Sequence, residues 1–414
     1  MADRRDCGGA RTVRVADAQE KRVASASRSV AVERASKLML AFAERTGIES
    51  SASPRRYLWT DAHAVCNFIG LARVAADEPR HRRLALALVD QVHHVLGRHR
   101  PDDSRTGWIS GLSASAGEAH PTRGGLRIGK PLPERRVGDP FDPQVEWDRD
   151  GQYFHYLTKW IHALHLVARA EQDPRYDVWA RELAATAHSA FVRPTGAAGG
   201  GMVWKMSIDL SRPLVPSTGQ HDPLDGLLTT AELRAGPGAQ PELDAQLATY
   251  RGLVAAADFA TEDPLGIGGL LVDVCRLAQL ARTTKFDQSL SIDLMRSALQ
   301  GLERWAFRRD LDRAAASRLG FRELGLAIGL RAIDTARAEL GGRFARGAEA
   351  HVLLDAIGAY APLGDKLVAF WLDEKNRAST SWAEHQDIND VMLATALVPH
   401  EYLDVVGRPL PKSA

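Results

Sequence analysis

Apolar residues recur at spacings of three and four along almost the whole chain from about residue 28, while the strict alternation of a half-buried strand is nearly absent. Val65, Ile69, Ala72 and Ala76 form one such stripe, and Phe154, Leu157, Ile161, Leu164 and Ala168 form another. The pattern predicts helices over residues 28–46, 61–76, 79–99, 149–171, 174–193, 222–234, 241–259, 266–283, 290–308, 320–340, 342–357 and 382–397. Breaks such as "RTGIES", "DEPRH" and "EQDPRY" supply the Gly, Pro or capping Asp that ends one helix and starts the next. Short links between consecutive helices imply antiparallel pairs. No sequence repeat of roughly 30 to 50 residues is visible, so a solenoid of identical units has no support.

A chain of 414 residues exceeds the usual size of a single core, which leaves several domains or one large closed architecture. Helix pairs without a repeat fit a closed ring. The expected organisation is a flexible segment over residues 1–27 followed by a single helical barrel domain over 28–414.

Hydrophobic residues at 45% and charged residues at 25% exclude a disordered or fibrous chain. A formal net charge of +1, with no basic stripe interleaved with aromatics, argues against nucleic acid as a partner. No segment reaches the ~18 consecutive apolar residues of a membrane span, and the first 28 residues hold no signal-peptide core. A cytoplasmic protein with no membrane partner is expected. Cys7, Cys66 and Cys275 are widely spaced and odd in number, the pattern of reduced thiols rather than a disulfide framework.

Two long segments, 100–147 and 194–221, interrupt the helices, and Trp108, Trp147 and Trp204 lie in or beside them. Loops of that length inside a compact domain are usually functional or disordered, and tryptophan is uncommon in disordered linkers. Ordered loops covering a site are the expectation. Polar clusters recur where helices begin: "WTDAH" at 59–63, "WDRDGQYFHY" at 147–156, "HDPLD" at 221–225, "EDPLGIGG" at 262–269 and "SWAEHQDIND" at 381–390. If alternate helices form an inner ring, their parallel amino-terminal ends gather these clusters around one mouth.

Helix number and cluster placement resemble the (α/α)6 toroid shared by six-hairpin glycoside hydrolases and the N-acylglucosamine 2-epimerase family. "WDRDGQYFHYLTKWIHAL" looks like the Trp-Asp-rich helix opening of six-hairpin glycosidases. The resemblance implies an all-α barrel of about twelve helices, with long loops over one end and carbohydrate chemistry at the mouth.

Glycoside hydrolysis needs one carboxylic acid to protonate the leaving oxygen and a second carboxylate to attack or to activate water. Asp61 and Asp148 are the leading pair, with Asp263 in reserve. Helical spacing sets Asp148, His155, Lys159 and His162 on one stripe flanked by Tyr153, Tyr156 and Trp160. Trp59, His63, Trp147, Tyr153, His155, Lys159, Trp204, His221, Asp222, Trp382, His385 and Asn389 are the expected substrate-binding residues, because aromatic faces hold sugar rings while polar groups fix hydroxyls.

Structural alternatives stand beside these roles. Asp61, Asp148 and Asp150 also suit helix N-caps, and Ser381 with Glu384 fits a capping box. His93, His94 and His99 read as a solvated helix end, and "GIGG" at 266–269 as close helix packing rather than a phosphate loop. Neither metal nor cofactor is implied. The expected partner is a small-molecule or oligosaccharide substrate. Two rival functions remain open: a sugar epimerase or isomerase using a histidine acid/base pair, and a non-catalytic helical binding scaffold.

Overall fold

The computed structural model describes residues 8–193, 201–236, 240–283, 287–307, 310–345 and 347–405. Of the described residues, 66% are helical and 4% are strand, an all-α fold with small β additions. The first helices are α1 (Gly8–Arg45), α2 (Leu58–Val74), α3 (Glu78–Leu96), α4 (Ala114–Ala119), α5 (Pro143–Asp148), α6 (Phe154–Glu171) and α7 (Pro174–Phe191). After a β-rich connection come α8 (Asp222–Arg234), α9 (Pro241–Val254), α10 (Pro264–Leu280), α11 (Gln288–Phe307), α12 (Gly320–Leu340), α13 (Glu349–Gly358) and α14 (Ala361–Leu372). The last are α15 (Glu374–Arg377), α16 (Thr380–Ala383), α17 (Gln386–Leu397) and α18 (His400–Leu403).

Burial divides the long helices into two kinds. α2 is buried continuously from Leu58 to Ala72, and α10 from Leu270 to Leu280. In contrast, α3, α7 and α11 bury one stripe and expose the rest. A helix that is apolar on all sides belongs inside, and one with a single stripe lies against it. The buried helices pack in sequence: α2 on α6, α6 on α8, α8 on α10, α10 on α12, α12 on α17, and α17 back on α2. Each carries a striped partner, with α3 on α2, α7 on α6, α9 on α8, α11 on α10, α13 and α14 on α12, and α1 on α17.

The tightest of these seams joins α10 to α12. A Cβ added to Gly268 would fall inside contact distance of the Gly325 carbonyl oxygen, and one added to Gly329 would strike Gly268. "GIGG" therefore lets two backbones touch, as the helix-packing reading expects.

Several expectations need correction. The helix expected from residue 149 begins at Phe154, because Gln152–Tyr153 (β1) is extended and pairs antiparallel with Lys205–Met206 (β2), which in turn pairs with Pro213–Val215 (β3). Gly151 makes the break: its φ of +150° suits few L residues, and a Cβ there would lie 2.7 Å from the Met206 carbonyl oxygen. Asp148 thus ends α5 and leaves the predicted stripe, which keeps only His155, Lys159 and His162 on α6. α14 was not anticipated. α1 starts at Gly8, so helix runs through most of the segment set apart as 1–27. His93 is buried rather than solvated, and its Nε2 accepts a hydrogen bond from Trp160 Nε1 at 3.2 Å.

Among the described residues, no helix is long and apolar enough to cross a membrane. Cys66 and Cys275 are buried free thiols, and Cys7 lies outside the described residues.

Candidate functional site

The amino-terminal ends of α2, α6, α8 and α10 open on a cavity of about 370 Å³. That is a volume at the small end for ligand pockets. Their first turns contribute Trp59, His155, Asp222, Leu265 and Gly266 to its wall. One or two turns deeper, His63, Lys159, Asp225 and Asp273 follow from the same helices, because residues three or four apart share a face. Ile328 of α12, Met392 of α17 and Tyr402 of α18 complete the interior. From the β-rich connection, Trp204, Gly219, Gln220 and His221 cover one side. The Trp204 carbonyl accepts from Phe154 N at 3.1 Å, and its indole donates to Ser217 Oγ at 2.9 Å, which fixes the ring at the mouth.

The polar groups of this cavity form a graded series. Near the mouth, His155 Nδ1 lies 3.4 Å from Asp222 Oδ1. Deeper, Lys159 Nζ donates to Asp225 Oδ1 at 2.7 Å. Burial opposes the Lys159 charge, but Asp225 more than restores it; burial likewise opposes the Asp225 charge, and Lys159 pulls that carboxyl below its ordinary value. Asp273 behaves oppositely. Burial, then the charge of Asp225, pushes its carboxyl up to about 6, although Arg276 Nη1 lies 3.4 Å from its Oδ1. Beneath it, Arg276 is 3.2 Å from Glu232, whose other oxygen is 2.9 Å from His162 Nδ1. Burial holds the His63 ring neutral, down to about 3; its Nδ1 is 2.9 Å from the Trp59 carbonyl oxygen and its ring stacks on Tyr402 at 4.6 Å.

Of the residues predicted from sequence, Trp59, His63, His155, Lys159, Trp204, His221, Asp222 and Asp263 meet at this cavity. Asp263 is also the N-cap of α10, accepting from Leu265 N at 3.4 Å, and its other oxygen is 2.6 Å from Arg322 Nη1. The leading pair is not there. Asp61 is buried beside Arg56, 3.5 Å away, and accepts from the Tyr57 backbone N–H at 2.9 Å, so it closes the start of α2. Burial raises its carboxyl to about 6 against the pull of Arg56. Asp148 is exposed at the end of α5 beside Trp147, which is 54% exposed under the Lys130 ammonium. Asp148 stays outside because Gly151 turns the chain before α6 begins.

Four other predicted residues also serve the scaffold. Tyr153 is buried against Trp204 and Tyr156. Trp382 is buried against Trp371, and His385 is exposed with its ring edge on Phe321. Asn389 accepts from Phe321 N at 2.7 Å and donates to the Trp382 carbonyl at 3.1 Å, tying α12 to α16 and α17.

Asp225, Asp273 and Tyr402 were missed. Asp225 stands in the quoted "HDPLD", and Asp273 is a lone carboxylate in the apolar run "GIGGLLVDVC"; a buried charge in such a run is the signal that could have found it. Nothing in the sequence around Tyr402 marks it.

A wider groove of about 1130 Å³ lies among α1, α14 and the chain after α17. Two of its ion pairs are closed, Arg73 with Glu401 and Arg331 with Asp365, and the smaller cavity, which gathers the amino-terminal ends of four helices, is the better candidate. Among the described residues, no group of three or more His, Cys, Asp or Glu side chains is disposed to hold a metal ion. The chain matches no protein-family model, and no curated protein is detectably similar to it in sequence.

Proposed function

We propose that the protein is a carbohydrate-active enzyme, a glycoside hydrolase whose site is the cavity at the amino-terminal ends of α2, α6, α8 and α10. In this reading the circuit of buried helices and their striped partners is an (α/α)6 toroid. The substrate is a small molecule or short oligosaccharide met in the cytoplasm, with no nucleic acid involved. One observation carries the assignment: two carboxyls of the same cavity, Asp225 and Asp273, have environments that drive their proton affinities apart. Such a divergence is how one site provides both an acid and a base. Asp273 keeps its proton up to about pH 6 and delivers it to the leaving oxygen. Asp225, held ionised by Lys159, is the second carboxylate. Trp59 and Trp204 supply aromatic faces for a sugar ring.

This replaces Asp61 and Asp148 as the catalytic pair. The test is a panel of chromogenic and natural glycosides, followed by a pH profile on any that is cleaved. Because the acid must be protonated, activity falls as pH rises past about 6. A rate that climbs through that range removes Asp273 from the role.

An epimerase or isomerase draws support from the cavity histidines, His63, His155 and His221, although His385 is not with them. Deuterium uptake from heavy water into recovered sugar, without hydrolysis, selects it. A non-catalytic scaffold is disfavoured by the meeting of Trp59, His155, Asp222 and Asp263, from four separate helix openings, at one cavity.

A further inference from the structure

Three buried carboxyls, Asp225, Asp273 and Glu232, share the cations Lys159 and Arg276 unequally. Asp225 has Lys159 Nζ at 2.7 Å. Glu232 has the most: Arg276 Nη2 at 3.2 Å, His162 Nδ1 at 2.9 and 3.0 Å from its two oxygens, and Arg169 Nη1 at 3.9 Å. Among the described residues, Asp273 has a single contact with a cation, Arg276 Nη1 at 3.4 Å from Oδ1.

That contact is a poor use of an arginine. Thr229 and Glu232, three residues apart on α8, share a face, and Nη2 donates to both, at 3.1 and 3.2 Å. Nε is buried and makes no hydrogen bond. The guanidinium is thus turned towards α8 and meets Asp273 with one amino group, where an aligned fork would give a carboxylate two parallel bonds of about 2.8 Å. A buried carboxyl so weakly partnered favours its neutral form.

The other groups around Asp273 do not relieve it. Lys159 is committed to Asp225, which is ionised and opposes a second negative charge. His63 and His162 are held neutral by burial, and Tyr402 keeps its phenol proton. From α12, Gly325 and Ile328 bring no charge to the cavity.

We propose that Glu232 is a positioning residue for the cavity acid: it draws the Arg276 guanidinium on to α8, denies Asp273 a bidentate partner, and so leaves the proton of the cluster on Asp273. The task given to that proton rests on the glycoside-hydrolase reading. Its location rests on the cluster.

The experiment titrates the Asp273 carboxyl in the full chain by carbon-13 NMR of aspartate-labelled protein, with Asp273→Asn to assign the signal, beside a pH profile on any glycoside that is cleaved. Glu232→Gln is expected to lower the titration midpoint by about one pH unit or more, since Arg276 is released to Asp273, and the alkaline limb of the profile should follow. Glu232→Asp, which keeps the charge, is expected to restore most of the wild-type midpoint. Arg276→Gln is expected to move the midpoint upward, and this opposite sign decides the question if Glu232→Gln folds poorly. A midpoint that stays or rises in Glu232→Gln, or stays in Arg276→Gln, overturns the role of Glu232 and leaves the hydrolase reading intact. A midpoint that falls while the alkaline limb stays in place keeps that role and removes Asp273 as the acid.

Discussion

Two groups of buried carboxylates flank the start of α6, and they are built on opposite terms. Before α6, Asp150 is saturated: Arg127 Nη1 lies at 2.6 Å and Arg100 Nη1 at 3.4 Å, while Gly129 N and Lys130 N donate at 3.0 and 3.3 Å. Nearby, Lys205 is fully buried, donating to the Glu146 and Arg149 carbonyls at 2.6 and 3.0 Å with Glu146 Oε1 at 2.9 Å. Facing the first turns of α6, the second group is paired more sparsely: Asp222 has the His155 ring at 3.4 Å, and Asp273 has Arg276 at 3.4 Å. Saturation marks the cluster that orders a long loop. Sparse pairing around a cavity leaves a ligand room to bond.

Substitutions can break this contrast. Asp273→Asn is expected to lower turnover by about 10²- to 10⁴-fold in steady-state assays on whichever glycoside is cleaved, the usual worth of a general acid. Undiminished turnover would return the cavity group to the same structural status as the loop group. Asp150→Ala is expected to cost about 3–5 kcal/mol in chemical denaturation, because it leaves Arg127 buried without its carboxylate. A loss below about 1 kcal/mol would mean that the loop is held by something else.

The pH dependence of stability sharpens the same contrast. The native Asp273 carboxyl titrates near 6 against an ordinary 3.8, so the folded state binds its proton more tightly than the unfolded chain. The group is neutral in its effect below about 4, and stability declines as pH rises from there through 6, by roughly 3 kcal/mol in all. Asp273→Asn should accordingly melt higher than the wild type at pH 8 and at the same temperature at pH 4, as thermal scans would show. Smallest of all, Trp147→Ala and His385→Ala, both on exposed residues, should shift stability by no more than about 0.5 kcal/mol and leave turnover unchanged.

Much of the helical plan was legible because stripes of apolar residues at spacings of three and four leave little freedom. The boundaries of α8 and α12 fall where the pattern puts them, while α14 was lost behind "APLG", where Pro and Gly look like loop. The candidate site was only half legible. Polar clusters at helix openings did lead to Trp59, His155 and Asp222. They led equally to Asp61, Asp148 and Asn389, since a capping carboxylate and a catalytic one look alike in a sequence. What separates them is the number of donors that tertiary packing brings, and those come from distant segments, as Arg127 comes to Asp150 and Phe321 N to Asn389. Asp273 sits in mid-helix, where only burial by the packing of neighbouring helices gives its charge meaning.

The bare backbone contact of Gly268 with Gly325 and Gly329 has a bearing on how this cavity can change over time. The side that carries Asp273 has no slack: any added carbon there pries two helices apart and moves the acid. Adaptation to a ligand of different girth is therefore channelled to the opposite rim, where Trp204 and Gln220 hang from a connection outside the circuit of buried helices. The molecule has one wall that inheritance must preserve and one that it is free to edit.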